Sequence, residues 1–286
     1  MSKEKQIPQI FPQEIVKAYY YGETLEMTTS NGLHTQTIQI LPNHQYKILK
    51  TGKIMNMNLR SENRADNLKT VQVTMRRLRR LITNNFFGGK SELWITLTYA
   101  TLMRDSKQAY VDFKKFMRKL RQRYKNLEYI VVIEPQASGS LHFHLLLKRT
   151  DSKQLQIPNS ELSRIWGQGF TKTKRLKSSD KVANYVIAYV SNLDWSDGED
   201  KKKYIKGARL HLYPKGIRIY RYSRGIKKPL SMRGFKKDIM DKFEISGTIS
   251  DFSRKTMHLT DEGKEVVYIT EFFNNIIGKE KDEQDG

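Results

Sequence analysis

The sequence predicts an α+β fold, with a central, mostly antiparallel sheet and helices packed on it. Three observations predict this class. From residue 91 the segments run strand, helix, two strands, helix, with further strands after. The helical segments repeat apolar residues at helical spacing, while the strand segments alternate. The two middle strands, "YIVVIEPQ" and "SLHFHLLLK", are joined by the turn "PQASGS", the pattern of an antiparallel hairpin.

Each element follows from local pattern. "IQILPNHQYKILKTGKIMNM" reads as short strands broken by turns at Pro42-Asn43 and Thr51-Gly52. "SENRADNLKTVQVTMRRLRRLITNNF" reads as a helix, with Leu68, Val71, Met75, Leu78 and Ile82 on one face. Arg76, Arg77, Arg79 and Arg80 fill its remaining face, which is either solvated or in contact with phosphates. "SELWITLTYA" follows Gly88-Gly89 as a strand. "SKQAYVDFKKFMRKLRQRYKN" is an amphipathic helix with a stripe of Tyr110, Phe113, Phe116, Leu120 and Tyr124. After the hairpin, "IPNSELSRIWGQG" suggests a short helix capped by Ser160. "DKVANYVIAYVSNLDW" reads as a helix and "DWSDGEDKKKYIKG" as a polar loop. "ARLHLYPKGIRIYRYSRGIKKP" reads as a basic hairpin turning at Pro214-Lys215-Gly216. The last fifty residues mix short apolar runs with charge, and "GKEKDEQDG" reads as a disordered tail. No internal repeat is present.

Charge is the strongest global signal. Among 286 residues, 52 Lys and Arg against 30 Asp and Glu give a net charge of +22. A polyanionic partner, nucleic acid, is the reading that this balance favours. Charge alone does not separate DNA from RNA, or an enzyme from a binder. A hydrophobic share of 38% suffices for a core. No apolar run approaches the roughly 18 residues of a membrane span, and the N-terminal residues lack the apolar stretch of a secretory signal. There are no cysteines, which excludes disulfides and thiolate metal sites and fits a reducing, cytoplasmic location. The expected division is a DNA-binding N-terminal extension over 1–90, a central domain over 91–230, and a C-terminal extension over 231–286.

Strand parity singles out a candidate metal site. Side chains alternate across a strand, so His142 and His144 share one face while Leu141, Phe143, Leu145 and Leu147 share the other. If the hairpin is centred near Ser138, Glu134 falls directly opposite His142 and on its face. Two imidazoles and a carboxylate with open positions make a workable divalent site. Mg²⁺ or Mn²⁺ suits phosphate chemistry there. With no cysteine, a tyrosine is a candidate nucleophile. Tyr185 and Tyr189 stand one helical turn apart, bordering the apolar face formed by Val182, Val186, Val190 and Leu193. They are either margin-packing residues or hydroxyls held at a cleft edge.

In order, "WITLTYA", Glu134 with "GSLHFHLLL", and "NYVIAYVSN" resemble the three motifs of the HUH endonucleases. More narrowly they resemble the rolling-circle replication initiators of bacterial plasmids, phages and related mobile elements. The resemblance runs from about residue 91 to 195. It implies an HUH nuclease fold in which His142 and His144 bind the catalytic metal and Glu134 completes the set. It implies that Tyr185 or Tyr189 attacks the DNA backbone, or that both act in turn. The outcome would be site-specific nicking and joining through a 5′-phosphotyrosine, leaving a 3′-hydroxyl primer. The implied partners are single-stranded or cruciform origin DNA and a host helicase and polymerase. The family often has a lysine three residues after the nucleophile, where this chain has Ala188 or Asn192. A conjugative relaxase or a single-strand transposase would share the chemistry. A non-catalytic nucleic-acid-binding protein with structural histidines is the alternative of another class.

"FFGGKSEL" is not a phosphate-binding loop, since Asn84 stands at the first glycine position and a strand follows. The expected basic hairpin interleaves Arg209, Arg218, Arg221 and Arg224 with Tyr213, Tyr220 and Tyr222, cations for phosphates and rings for bases. An ordinary hairpin with a charged outer face reads the same way. His34, His44, His211 and His258 have no partner pattern and are expected to be surface or structural residues.

Overall fold

The structure is a computed structural model that describes residues 8–30, 38–57, 68–177, 209–214, 216–259 and 265–277. Its strands are β1 Ile15–Tyr21, β2 Thr24–Thr29, β3 Ile38–Leu41, β4 Gln45–Ile48, β5 Ile54–Asn56, β6 Glu92–Thr98, β7 Leu127–Pro135, β8 Leu141–Arg149, β9 Thr171–Arg175, β10 Tyr220–Tyr222, β11 Leu230–Phe235, β12 Phe252–Leu259 and β13 Glu265–Phe273. The helices are α1 Leu68–Thr83, α2 Ser106–Arg123, α3 Asn159–Trp166 and α4 Lys236–Lys242. The strand pairs are antiparallel throughout, so the fold is α+β, as the sequence predicts. Among the described residues no helix is long and apolar enough to cross a membrane. Contacts divide the chain into two units, Leu59–Lys227 and the combination of Met1–Asn58 with Lys228–Gly286.

The Leu59–Lys227 unit is built on a five-stranded sheet of order β10-β7-β8-β6-β9. The β7–β8 hairpin takes the expected register, with Glu134 opposite His142 and Ile133 opposite Phe143. Its turn closes through Gln136 and Ser140, whose backbone groups bond at 2.8 Å, and Gly139 supplies a φ of 81° that a side chain would strain. Phe143 faces α2 and α3, with ring centroids 5.1 Å from Phe113, 5.7 Å from Tyr110 and 6.2 Å from Trp166. The aromatic stripe of α2 therefore covers the face of β8 opposite the histidines.

α2 starts at Asp105, whose carboxylate accepts from the backbone N–H of Lys107 at 2.8 Å and Gln108 at 3.1 Å. Those donors have no partner inside the helix, so the cap satisfies both. Asp105→Ala is expected to cost about 1 kcal/mol of unfolding free energy, read from the midpoint of urea denaturation at constant slope. An unchanged midpoint would show that the cap adds nothing.

Two local expectations are corrected. Ser160 does not cap α3. The helix begins at Asn159 after Pro158, whose φ of −57° leads into it without a side-chain cap. The Asn159 side chain instead ties the helix to β9, donating to the Thr171 carbonyl at 3.0 Å and accepting from its hydroxyl at 3.0 Å. The basic hairpin over 208–229 does not form either. Arg209–Leu212 is a short 3-10 turn, and Tyr220–Tyr222 pairs with β7. Burial explains the difference: Leu210, Tyr213, Ile217, Ile219 and Ile226 all enter the core, so this segment completes the sheet rather than pairing with itself.

The other unit has a five-stranded sheet of order β11-β1-β2-β13-β12 and a separate three-stranded sheet β3-β4-β5. Asn43 and Gly52 carry positive φ at the two predicted turns of the small sheet. Val16, Ala18, Leu25 and Met27 form the core of the larger sheet with Ile239 and Met240 of α4 and Phe273. Within it Lys236 Nζ donates to Glu271 Oε1 at 3.0 Å and to the Ile10 carbonyl at 2.8 Å, while the Ile10 N–H donates to the same carboxylate at 3.0 Å. Glu271 is 1% exposed and Lys236 7%, so a buried pair fastens the segment before β1 to β13 and α4. Contacts thus group residues 1–58 with 228–286 and place α1 with β6–β10, a grouping that does not follow sequence order.

Candidate metal centre

Three strands set the site. β7 supplies Glu134, β8 supplies His142 and His144, and β6 lies on the other side of β8 with Thr98 opposite His142 and Thr96 opposite His144. Directly opposed residues share a face, so the two threonines stand on the histidine face. Trp94 has the same parity. Its ring lies 5.5 Å from that of His144, and its indole N–H points to the Thr96 hydroxyl at 3.4 Å. At the far end of the same face, Lys148 Nζ donates to the Asn85 carbonyl, just beyond α1, at 2.8 Å. At the near end, the loop after α3 crosses β6 at Gly169, where an added Cβ would lie 2.5 Å from the Thr98 carbonyl.

The three predicted ligands converge. Glu134 Oε2 lies 3.0 Å from His142 Nε2 and 2.8 Å from His144 Nε2. One ligand atom from each residue falls within 4.8 Å of the others, a group that could hold a metal ion. The two imidazoles meet edge to face, with centroids 4.6 Å apart. His144 is 4% exposed, Glu134 7% and His142 9%, so the donors sit in a poorly solvated place.

The electrostatics favour the ligating forms. Burial pushes the Glu134 carboxyl up, but the hydrogen bonds from His142 and His144 outweigh it and hold the group at about 2. Burial pushes His144 below the usual imidazole range, and the attraction of Glu134 offsets this only in part. At neutral pH the carboxylate is thus ionised and His144 neutral, the states in which both donate a lone pair to a metal. Hard carboxylate oxygen together with imidazole nitrogen fits a divalent cation.

Arg209, singled out in sequence as a phosphate-binding cation, lies beside this carboxylate. Its Nη1 is 3.5 Å from Glu134 Oε1 and 3.4 Å from the Pro135 carbonyl. The free carboxylate oxygen is therefore held while Oε2 serves the histidines. Arg221 is elsewhere, its guanidinium 3.5 Å from the centre of the Tyr110 ring. Arg224 lines an open surface pocket with Arg121, Tyr124 and Lys125 at the start of β7. Arg218 is exposed, and its carbonyl accepts from the Tyr110 hydroxyl at 2.6 Å. Tyr213 does not stack on bases: it is 1% exposed and belongs to the core. Tyr185 and Tyr189 lie outside the described residues.

Sequence reasoning missed Thr96, Thr98 and Trp94 as neighbours of the histidines. Their alternation in "LWITLT" was legible, but which face met β8 was not.

No curated protein matches the chain, and no solved structure matches it. Residues 92–194 match the family model of the replication-associated protein ORF2. That span begins at β6, includes Glu134, His142 and His144, and extends past Tyr185 and Tyr189, so the resemblance to rolling-circle replication initiators rests on a family match over the whole stretch that carries its motifs.

Proposed function

We propose that the chain is a rolling-circle replication initiator that nicks and rejoins single-stranded DNA at an origin. The observation that carries this reading is the in-register cluster of Glu134, His142 and His144, buried on one sheet face within a replication-associated family match. Glu134, His142 and His144 would hold the cation. A divalent ion bound there polarises a non-bridging phosphate oxygen and so eases attack at phosphorus.

The chain's own residues supply the rest. Tyr185 or Tyr189 supplies the nucleophile: its phenolic oxygen bonds to phosphorus, its proton leaves, and the bond from phosphorus to the 3′-oxygen breaks. The 3′-oxygen takes up a proton and becomes a primer end. The 5′ side stays on the enzyme until a second hydroxyl attacks and releases the tyrosine. Arg209 orients Glu134 through the second carboxylate oxygen. The net charge of +22 draws the polyanionic strand to the protein.

The test is an adduct assay on denaturing gels. Single-stranded origin fragments from the protein's own replicon are incubated with the protein and Mn²⁺ or Mg²⁺, beside Tyr185→Phe and Tyr189→Phe. The expected result is a covalent protein–DNA band that disappears with chelator and with one of the two variants. Tight binding without any adduct on any fragment would overturn the nicking reading in favour of a binding protein.

A further inference from the structure

The edge strand next to the metal centre carries a feature that the chemistry leaves unused. β10 stands at the end of its sheet and pairs only with β7, Tyr220 opposite Val132 and Tyr222 opposite Ile130. Val132 and Ile130 have the parity of Glu134, so both tyrosines stand on the metal face. At about 3.3 Å per residue they lie roughly 7 and 13 Å from Glu134 along the strand direction. Their rings stack on each other, with centroids 6.3 Å apart and planes inclined by 22°. Tyr222 is 39% exposed, large for a ring beside a core.

Cations flank the pair. Burial and the neighbouring Tyr222 push the Tyr220 hydroxyl up, and the guanidiniums of Arg77 on α1 and Arg218 act against that rise, which places both beside the ring. Both arginines are exposed, and among the described residues neither pairs with a carboxylate. On the opposite face of the same strand, Arg221 packs over Tyr110 and anchors β10 to α2.

We propose that Tyr220 and Tyr222, with Arg77 and Arg218 beside them, form a stacking platform for the bases of single-stranded DNA next to the metal centre. The rings offer successive bases a π face without regard to sequence, and the arginines neutralise the phosphates between them. Charge complementarity selects this occupant: aromatic rings interleaved with cations that no carboxylate neutralises fit a polyanion with stacked bases. The proposal rests on the nicking reading only for where the strand leads, since binding at the platform needs no metal.

The test measures fluorescence anisotropy of a labelled oligothymidylate of about 16 nucleotides at low salt with chelator present, so that no chemistry occurs. Tyr222→Ala is expected to weaken binding about 5- to 100-fold, the loss of one stacked base, and Tyr222→Phe to bind as the parent does. Replacing Arg77 and Arg218 by Gln together is expected to lower the salt slope by about 1.4, roughly 0.7 per phosphate lost. Circular dichroism checks that each variant is folded. Three outcomes overturn the platform: a parent that does not bind the oligonucleotide, a folded Tyr222→Ala that binds like the parent, or a variant whose sedimentation shifts from dimer to monomer with DNA affinity unchanged. The last would make β10 the edge that pairs with a second copy of the chain. Adduct formation on origin fragments separates this result from the nicking reading. Ring-dependent binding without adduct removes the nicking and leaves the platform; adduct with ring-independent binding does the reverse.

Discussion

His144→Ala is expected to lower the affinity for Mn²⁺ by at least about 100-fold, more than is usual for losing a group that merely orients a ligand, and to abolish the covalent adduct. Two arguments support so large an effect. The centre offers three protein donors within 4.8 Å, so removing one leaves two, too few to hold a labile divalent ion against water. His144 is also the most buried of the three, at 4% exposed, and no described carboxylate other than Glu134 stands near enough to replace it. Titration calorimetry with Mn²⁺ reads the affinity, and the origin-fragment gel reads the adduct. His144→Ala that binds Mn²⁺ like the parent and still forms the adduct would show that the cluster is a structural hydrogen-bond knot. Glu134→Gln sharpens the comparison, because it keeps the shape of the side chain and removes the charge that both imidazoles face.

The second large effect is on stability. Phe143→Ala is expected to cost about 3–5 kcal/mol of unfolding free energy. Its ring is fully buried, 0% exposed, and lies against Phe113, Tyr110 and Trp166 at once. Truncation leaves a cavity between β8, α2 and α3 that those rigid rings cannot refill. A total stability of about 5–15 kcal/mol would not absorb that loss easily. Urea denaturation of parent and variant checks it, with Phe143→Leu expected to fall between them. A cost under about 1 kcal/mol would mean that the helices close onto the strand. Because Phe143 lies between the two histidines in sequence, the same loss loosens the strand that aims both imidazoles.

Much of the site was legible in the sequence because a strand has period two. His142 and His144 fall on one face by parity, and a short turn at Gly139 fixes the register that sets Glu134 opposite His142. α2 was legible through its stripe, and the turns at Asn43 and Gly52 through their residue types. What failed was non-local. Pro214 and Gly216 look like a hairpin turn, yet the burial of Ile217 and Ile219 carries the segment to β7, some ninety positions earlier, where Ile133 N–H bonds to the Ile219 carbonyl at 2.9 Å. Local composition says nothing of that pairing. Arg209 read as a cation for phosphate, and only the fold reveals the carboxylate 75 positions away beside it. The pairing of β1 with β11 left no local trace for the same reason.

That last pairing bears on synthesis. β1 and β2 leave the ribosome early, yet their sheet partners β11 and β13 are made more than two hundred positions later. The hydrogen bond from the Ile10 N–H to Glu271 spans 261 positions. Residues 59–227 hold every strand of their own sheet and are finished while the earlier unit still waits. During that interval β1 and β2 form a two-stranded ribbon with both edges bare, a form that is marginal in water and a template for pairing with other chains. A messenger truncated after residue 227 would thus be expected to yield a polypeptide whose β6–β10 sheet is whole but whose β1–β2 ribbon binds chaperones or aggregates. In that sense β11 and β13 act as the stopper for an edge opened early in translation.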